Sequence, residues 1–317
     1  MYAPDKVMTN ADFIPLLGED VDEFVGGTLN IHERHICAED ESTADLCQAA
    51  AQNALQAAGL SPEALDLIII GTDTPEYLSP ATASKVQHML GAKNAGTFDV
   101  NCACAAFVTG LDIAVKYIVT DKRYTNVLVV GAYAMSKYLD FNDLYTATIF
   151  ADGAGAIVLQ AADEPGYLAS QLHADGQFHD YMGIYAGGTW HPITPERIEA
   201  GEHQVRFVKK FPGDVNFDNW PRLTRSIIEK AGREISAIDF IIFTQININT
   251  IREVMKELSL PMEKTHWVMD RYGYTGSACI PMVLDEAVRT DRIKKGDLVV
   301  LVGSGGGYAM GAIAFEW

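Results

Sequence analysis

One cysteine in this chain has a setting that suits nucleophilic chemistry. Cys104 follows the strand-like residues 97–100 and a run of small residues, and a helical pattern then continues through Leu111 and Ile118. A thiol at the start of a helix lies near free N–H groups and the positive end of the helix dipole, which favour the thiolate. The small neighbours leave room for a substrate carbonyl. A buried structural cysteine is the alternative, because free cysteines commonly pack as small apolar residues.

Several further motifs accompany the Cys104 turn along the chain. They are Asn30-Ile31-His32-Glu33-Arg34-His35-Ile36, Gly71-Thr72-Asp73-Thr74, Phe150-Ala151-Asp152-Gly153-Ala154-Gly155-Ala156, Asp270-Arg271-Tyr272-Gly273 and Gly303-Ser304-Gly305-Gly306-Gly307. Each motif alone is weak, but their combination and order are specific. The chain resembles the β-ketoacyl-acyl-carrier-protein synthase III family of the thiolase superfamily, from about Tyr2 to Trp317.

The resemblance implies a covalent mechanism at Cys104. This residue matches the family nucleophile, which takes an acyl group from a thioester and holds it as an enzyme-bound thioester. A covalent intermediate divides a difficult transfer into two easier steps. Gly305 and Gly306 fall in the glycine loop, and the resemblance assigns the oxyanion hole to the N–H groups of Gly306 and Cys104. Such donors stabilise a transition state by roughly 3–4 kcal/mol each. Cys102 is interpreted as a packing residue.

Two catalytic residues of the family are replaced in this chain. Thr244 stands where the family has histidine, and Tyr274 stands where it has asparagine. In the family, those two side chains hydrogen-bond the thioester carbonyl of the extender during decarboxylation. Threonine offers one weaker hydroxyl donor, and tyrosine offers one donor on a larger ring. Gln245 and Asn247 of the same segment are retained, and no histidine of this chain matches a site position.

The positions that bind the acyl donor also differ from the family pattern. Phe24 keeps the aromatic residue that contacts the adenine of coenzyme A, whereas Thr28 and Leu144 replace the two arginines that bind its phosphates. The resemblance therefore implies weak binding of the phosphorylated adenosine. Leu78 and Ser79 belong to the loop that limits the acyl pocket across the dimer. Ser79 replaces a bulky residue there, which predicts a longer pocket.

Composition excludes several classes of partner. The chain has 317 residues, 48% of them hydrophobic, and a formal net charge of −18. Nucleic acid is excluded as a partner, because its binding needs clustered basic residues. The same charge opposes an acidic carrier protein at long range. Asn249 replaces a basic docking residue of the family, and Lys209, Lys210 and Lys256 form either a smaller docking patch or an ordinary solvated surface.

Further features of the sequence indicate a cytoplasmic protein without a metal or cofactor. No run of 18 apolar residues and no signal peptide are visible, so we expect no contact with a membrane. The five cysteines show neither a metal-ligand spacing nor an even number for disulfides. A reducing cytoplasm agrees best with this pattern.

The chain repeats itself at long range, which predicts its fold. Residues 65–70 resemble residues 238–243, residues 125–131 resemble residues 296–303, and all the matches have nearly the same offset. The matched segments are continuous β-branched runs, typical of strands buried on both faces, and helical patterns alternate with them. We therefore predict an α/β protein with the five-layered αβαβα thiolase fold. Its two similar halves are residues 1–164, which carry Cys104, and residues 165–317.

The start of the chain predicts one departure from that fold. In the resembling family a strand precedes the segment that matches Tyr2-Ala3-Pro4, and here the chain begins at that segment. A central strand of the first half is therefore expected to be missing. Either the natural start lies further upstream or another segment substitutes for the strand.

Together these features predict a homodimeric acyltransferase of the synthase III type, acting in fatty acid or polyketide biosynthesis. The acyl donor would be a thioester of coenzyme A or of an acyl-carrier protein. The second step is either a condensation or a transfer to an amine, hydroxyl or thiol. The alternatives are a non-catalytic or weakly catalytic partner of another thiolase-fold enzyme, favoured by the two replaced residues, and a thioester hydrolase.

Overall fold

The computed structural model describes residues 1–164, 166–213 and 215–317. Twelve strands occur in these residues: β1 (Lys6–Thr9), β2 (Glu33–Ile36), β3 (Leu67–Gly71), β4 (Gly96–Val100), β5 (Asn126–Ala134), β6 (Asp152–Gln160), β7 (Tyr167–Ala174), β8 (Met182–Gly183), β9 (Arg206–Phe207), β10 (Phe240–Phe243), β11 (Leu298–Gly305) and β12 (Ala309–Glu316).

Ten α-helices connect and cover these strands in the described residues: α1 (Asn10–Leu17), α2 (Thr43–Ala58), α3 (Thr82–Leu90), α4 (Ala106–Thr120), α5 (Leu144–Ala147), α6 (Pro195–Glu199), α7 (Val215–Lys230), α8 (Ile248–Glu257), α9 (Met269–Tyr272) and α10 (Cys279–Arg289). A π-helix spans Glu23–Leu29. Gly59 and Gly91 follow α2 and α3 in the left-handed conformation that glycine adopts without strain, so each ends its helix.

Two four-stranded sheets form the framework. The first has the order β4-β3-β5-β6 and the second the order β10-β11-β12-β7. Within the first sheet β3 runs parallel to β4 and β5, and β6 is antiparallel to β5. Within the second, β10 is parallel to β11, and β12 is antiparallel to both of its neighbours. The strands β3, β5, β10 and β11 are almost wholly buried, as their apolar sequences predict.

The helices complete five layers. The central helices α4 and α10 touch strands of both sheets and each other. On the outer face of the first sheet lie α2 and α3, and α7 covers the outer face of the second, with α8 packed against it. The two sheets also contain equivalent glycine pairs: Gly131 pairs with Gly155 in the first sheet, and Gly303 pairs with Gly311 in the second. The predicted αβαβα fold with two similar halves is confirmed.

The predicted boundary at residues 164/165 falls between β6 and β7. The first sheet ends at Gln160 and the second begins at Tyr167, while Pro165 lies outside the described residues. Residues 103–120, which include α4, would be long and apolar enough to cross a bilayer by composition, but 56% of that window is buried inside the protein. This is the burial expected of a central helix between two sheets.

The described residues contain no strand beside β6 at the sheet edge that corresponds to β7 in the second sheet. In the second sheet β7 pairs with β12 along its length, whereas in the first sheet β6 pairs on that side with Tyr2 alone, through two hydrogen bonds to Ala154 of 2.8 and 2.9 Å. A groove remains there, lined by β6, α2, α4, α10 and the end of β12. No other described segment takes the place of the strand.

Candidate active site

The carboxyl ends of three neighbouring strands bring the candidate site together. Gly71, the last residue of β3, pairs with Val100 at the end of β4 and with Gly131 in β5. The N–H of Thr72 continues the pairing by donating to the carbonyl of Val100, 3.1 Å away. Parallel strands direct the residues that follow them to the same edge of a sheet. The segments after β3 and β4 and the last residues of β5 therefore meet there.

Cys104 lies on a tight turn between β4 and α4. Ala103 has a φ of 46°, and Cys102 and Cys104 form an isolated bridge with each other. Cys104 is buried, with 3% of its surface exposed, and its own backbone N–H is directed at its sulfur. Helix α4 begins at Ala106, two residues further on. The strand, turn and helix predicted around Cys104 are therefore confirmed.

The glycine loop of the second half packs directly on this turn. A Cβ atom on Gly305 would lie 2.5 Å from the backbone nitrogen of Cys104 and 2.7 Å from the carbonyl oxygen of Cys102, so only glycine fits. A Cβ on Gly306 would lie 4.0 Å from that of Ala103. The two loops that carry the predicted oxyanion-hole donors thus adjoin, and the pairing of the two N–H groups stays a prediction.

The electrostatics of Cys104 differ from the expectation. Burial raises the pKa of the thiol well above its ordinary value, and the negative charge of Asp73 raises it further. A hydrogen bond with the Tyr274 hydroxyl lowers the pKa, but by less. Removal of a thiolate from water costs more than the start of a helix recovers. The expectation that the helix start favours the thiolate is therefore wrong for the free protein, whose thiol is protonated at neutral pH.

Tyr274 reaches the nucleophile, as its position in the sequence predicts. Its backbone pairs with the end of the Phe150 segment, since its N–H donates to Ile149 and its carbonyl accepts from Ala151, both at 3.0 Å. The buried ring lies 5.6 Å from the ring of Phe150, and its hydroxyl hydrogen-bonds the sulfur of Cys104. Tyr274 therefore holds a donor against the sulfur where the family has an asparagine.

Thr244 is placed differently from the prediction. Its hydroxyl accepts a hydrogen bond from the N–H of Ser304 at 2.9 Å and donates its single hydrogen to the carbonyl of the same residue at 3.3 Å. The side chain is buried at the end of β10. A hydroxyl has one hydrogen to donate. Thr244 thus connects β10 to β11, and the prediction that it donates to the substrate is not supported.

Gln245 and Asn247 are also used by the fold. The amide of Gln245 donates to the carbonyls of Phe243 and His266, and its oxygen accepts from Val268, so the predicted contact with substrate is wrong for this buried residue. The oxygen of Asn247 accepts from the N–H of Asn249 and so caps α8. Its role in catalysis stays a prediction.

The predicted donor-binding residues lie at the surface. Phe24 is 42% exposed on the π-helix, and Leu144 is half-buried at the start of α5. The side-chain amide of Asn249 donates to the carbonyl of Thr28 at 3.0 Å, which links the π-helix to α8. Leu78, 84% exposed, and Ser79 lie on a surface loop rather than at Cys104 of the same chain.

Asp73 belongs to the motif of residues 71–74, but the sequence analysis assigned it no role in the site. It follows the fully apolar strand β3 and belongs to the segment that meets the Cys104 turn. Its charge acts on Cys104, Tyr133 and Tyr138. An acidic residue two positions after a buried strand was the available signal. No group of histidine, cysteine and carboxylate side chains that could hold a metal occurs in the described residues.

Comparisons with known proteins agree with this geometry. Residues 98–176 match the family described as 3-oxoacyl-[acyl-carrier-protein (ACP)] synthase III, and residues 228–317 match its C-terminal family. The β-ketoacyl-[acyl-carrier-protein] synthase III of Clostridioides difficile (strain 630) is 38% identical, over 100% of this chain and 96% of the relative. That of Methylococcus capsulatus is 36% identical, over 100% of this chain and 96% of the relative.

Solved structures extend the likeness to the fold. The 3-oxoacyl-[acyl-carrier-protein] synthase III from Aquifex aeolicus VF5 superposes with a TM-score of 0.88 at 33% identity, covering 100% of this chain and 97% of the other. The priming β-ketosynthase of the R1128 polyketide pathway gives 0.89 at 26% identity, with 99% and 93% covered. The chain therefore belongs to the 3-oxoacyl-acyl-carrier-protein synthase III family of acyl-transferring enzymes with the thiolase fold.

Proposed function

We propose that this protein forms an acyl-thioester on Cys104 and passes the acyl group to an acceptor. The observation that carries the proposal is the contact between the Cys104 turn and Gly305, which places the glycine loop of the second half against the cysteine of the first. A thioester carbonyl bound over the sulfur would develop negative charge on its oxygen as the sulfur attacks. The N–H groups of Cys104 and Gly306 would stabilise that charge.

Tyr274 supports the same role for Cys104. Its hydroxyl is the side-chain donor that lowers the pKa of the thiol, against a larger effect of burial. A donor at the sulfur stabilises negative charge both when the thiol loses its proton and when the thioester bond breaks again. The tyrosine would therefore assist the sulfur, whereas the family asparagine assists the enolate.

The donor would be an acyl thioester of coenzyme A or of an acyl-carrier protein. Phe24, exposed at the surface, offers a ring for the adenine, but Thr28 and Leu144 supply no positive charge for phosphates. Among the surface lysines, Lys209 already pairs with Asp180 at 2.5 Å. The net charge of −18 adds repulsion toward any acidic carrier. Short pantetheine-like thioesters should therefore load nearly as well as the full coenzyme.

Condensation with a malonyl extender is disfavoured as the second step. The single hydroxyl hydrogen of Thr244 is given to Ser304, and Tyr274 contacts the sulfur. Loss of one preorganised donor costs on the order of 100- to 1,000-fold in rate. Transfer to a hydroxyl, amine or thiol needs neither of the family's two donors, and water as the acceptor would make the protein a thioester hydrolase.

A weakly catalytic partner of another thiolase-fold enzyme is the second candidate. The hydrogen bonds of Thr244 to Ser304 favour this second candidate, because they remove a donor from the site. The close packing of Gly305 on the Cys104 turn opposes it. Acylation of the purified protein separates the two candidates, because a partner that only shapes a tunnel would not take up an acyl group.

Intact-protein mass spectrometry after incubation with short and medium acyl thioesters tests the proposal. We expect one added acyl group per chain, lost in Cys104→Ala and retained in Cys102→Ala. Cys102 is a matched control, since it is partly exposed and two residues away. No adduct in the wild-type protein, or an adduct retained by Cys104→Ala, would refute the assignment of Cys104.

We also propose that the protein is a homodimer. Leu78 and Tyr77, 84% and 47% exposed, form an apolar tip on the loop that follows β3, which a second copy would cover. Light scattering at micromolar concentration should give about twice the chain mass of 34.6 kDa. A mass of one chain, or a dimer unaffected by Leu78→Asp, would contradict this interface.

A further inference from the structure

One oxygen of the Asp73 carboxylate is buried two residues after β3, whose last residue, Gly71, packs so closely on the start of α4 that a Cβ there would lie 2.8 Å from the backbone of Ala106. The Oδ1 atom of Asp73 has no hydrogen-bond partner among the described residues, and the one hydrogen bond that affects the pKa of Asp73 comes from its own backbone N–H. Burial raises the pKa of Asp73 to about 6. The residue as a whole is partly exposed although this oxygen is buried. A buried carboxylate without a hydrogen-bond partner or a positive charge lowers the stability of the fold.

The groups whose pKa is raised by the charge of Asp73 belong to the candidate active site. From the turn before α4 comes Cys104, from β5 comes Tyr133, and from the turn after β5 comes Tyr138. The hydroxyl of Tyr133 is likewise buried without a partner in the described part of the chain. Tyr274 and Cys279 face Cys104 itself. No lysine, arginine or histidine is among the groups that shift the pKa of Asp73.

The nucleophile needs a base that the other residues do not supply. The thiol of Cys104 is protonated in the free protein, and Thr244, at the position of the family histidine, has its hydroxyl bonded to Ser304. A base works best when its pKa lies near the working pH, and a carboxylate with a raised pKa approaches that condition. Asp73 is the acidic group whose charge acts directly on the sulfur.

Resting on the function proposed above, we propose that Asp73 is the general base of this acyl transfer and carries the proton between Cys104 and the protic groups that enter and leave. In loading, Asp73 takes the thiol proton as sulfur bonds to the carbonyl carbon. It returns that proton to the departing thiolate as the carbon–sulfur bond of the donor breaks. In discharge, it takes the proton of the acceptor hydroxyl, amine or thiol, and gives it to the sulfur of Cys104.

The same carboxylate restricts the acceptor. A negative charge beside the sulfur repels a second anion, and repulsion between close charges is strong where water is excluded. An acceptor that carries its own carboxylate, as a malonyl unit does, would meet this repulsion. A neutral or cationic protic acceptor would not. The substrate class that fits the site is therefore a protic nucleophile.

The pH dependence of acyl loading tests the proposal. Single-turnover loading from butyryl-coenzyme A is followed by intact mass between pH 5.5 and 9 for the wild-type protein, Asp73→Asn and Asp73→Glu. The matched control is Asp40→Asn, the same change at an exposed carboxyl without a side-chain contact in the described structure. We expect the wild-type rate to rise through a pKa of about 6. At pH 7 Asp73→Asn should load at least ~100-fold more slowly, the low end of general-base effects.

Two further features separate this role from a structural one. The deficit of Asp73→Asn should shrink toward pH 9, because hydroxide can then take the thiol proton in place of the missing carboxylate, and Asp73→Glu should restore part of the rate at pH 7. Discharge of the preloaded protein by N-acetylcysteamine should be slowed by a similar factor, because it reverses the loading step. The Asp40→Asn variant should match the wild-type protein in every assay.

The outcomes distinguish this proposal from the proposed function. If the wild-type protein takes up no acyl group, the assignment of Cys104 fails and that of Asp73 fails with it. If Asp73→Asn loads within threefold of the wild-type rate with the same pH profile, only the assignment of Asp73 is overturned. A deficit that is equal at every pH and is not relieved by Asp73→Glu would also overturn it.

Discussion

The buried carboxylate of Asp73 should cost the protein stability, and removing its charge should recover that cost. A rise of its pKa from 3.8 to about 6 corresponds to roughly 3 kcal/mol of unfolding free energy, at about 1.4 kcal/mol per pH unit. This is an upper bound, because the residue is partly exposed and a buried asparagine amide has its own cost. We therefore expect Asp73→Asn to raise the unfolding free energy by about 1–3 kcal/mol at pH 8, and the melting temperature by roughly 1.5–4.5 °C.

The sign of the pH dependence follows from the raised pKa. Below pH 3.8 the carboxyl is neutral in the folded and unfolded states, so its ionisation costs nothing. As the pH rises toward 6 the unfolded chain ionises first, and the native state loses stability until both states are charged. The advantage of Asp73→Asn should therefore be greatest at pH 8 and about half as large at pH 5.

Urea denaturation followed by tryptophan fluorescence at both pH values measures this difference. The Asp40→Asn variant controls for the general effect of one less negative charge on a chain with a net charge of −18. If Asp73→Asn is no more stable than the wild-type protein at pH 8, the carboxylate is not destabilised by burial. An advantage that grows from pH 8 to pH 5 would lead to the same conclusion.

Three other changes test the neighbours of Cys104. Thr244→Val should lower the unfolding free energy by about 2–4 kcal/mol, because it leaves the buried N–H and carbonyl of Ser304 without partners; Thr244→Ser should be far milder, and equal effects in urea denaturation would contradict the observed bonds. Tyr274→Phe should move the alkylation of Cys104 by iodoacetamide to higher pH, since the lost hydrogen bond lowers the pKa of the thiol; an unchanged pH profile would show that the hydroxyl does not act on the sulfur. Gly305→Ala should abolish acyl loading, because its Cβ would approach the Cys104 nitrogen to 2.5 Å, while Gly188→Ala, with open space around it, should load normally; normal loading by Gly305→Ala would contradict the close contact of the two loops.

The resemblance implies that Thr244 and Tyr274 replace a histidine and an asparagine, and we propose that these replacements change the acceptor rather than remove the chemistry of the site. The cysteine turn and the glycine loop retain their contact. Around them Thr244 hydrogen-bonds Ser304 and so links two strands, the hydroxyl of Tyr274 acts on the sulfur of Cys104, and Asp73 supplies a negative charge. These changes fit an acyl transferase with a protic acceptor better than a decarboxylating synthase.

Local patterns in the sequence were sufficient for the fold and for the nucleophile. Continuous apolar runs predicted the buried strands, and the small residues around Cys104 predicted the turn into α4. These features depend on the chemistry of neighbouring residues, so the sequence contains them directly. The repeat between the halves added the layered arrangement, because similar segments fold alike.

Only the tertiary structure decided how the side chains around Cys104 are used. Thr244 and Gln245 are bonded to backbone groups that other elements supply, such as Ser304, about 60 residues away. The pKa of Cys104 depends on burial and on Asp73 from another strand end, and both effects exceed that of the cysteine's own backbone N–H. Hydrogen-bond satisfaction and desolvation are set by everything that surrounds a group, and the packing of two sheets against α4 and α10 creates those surroundings.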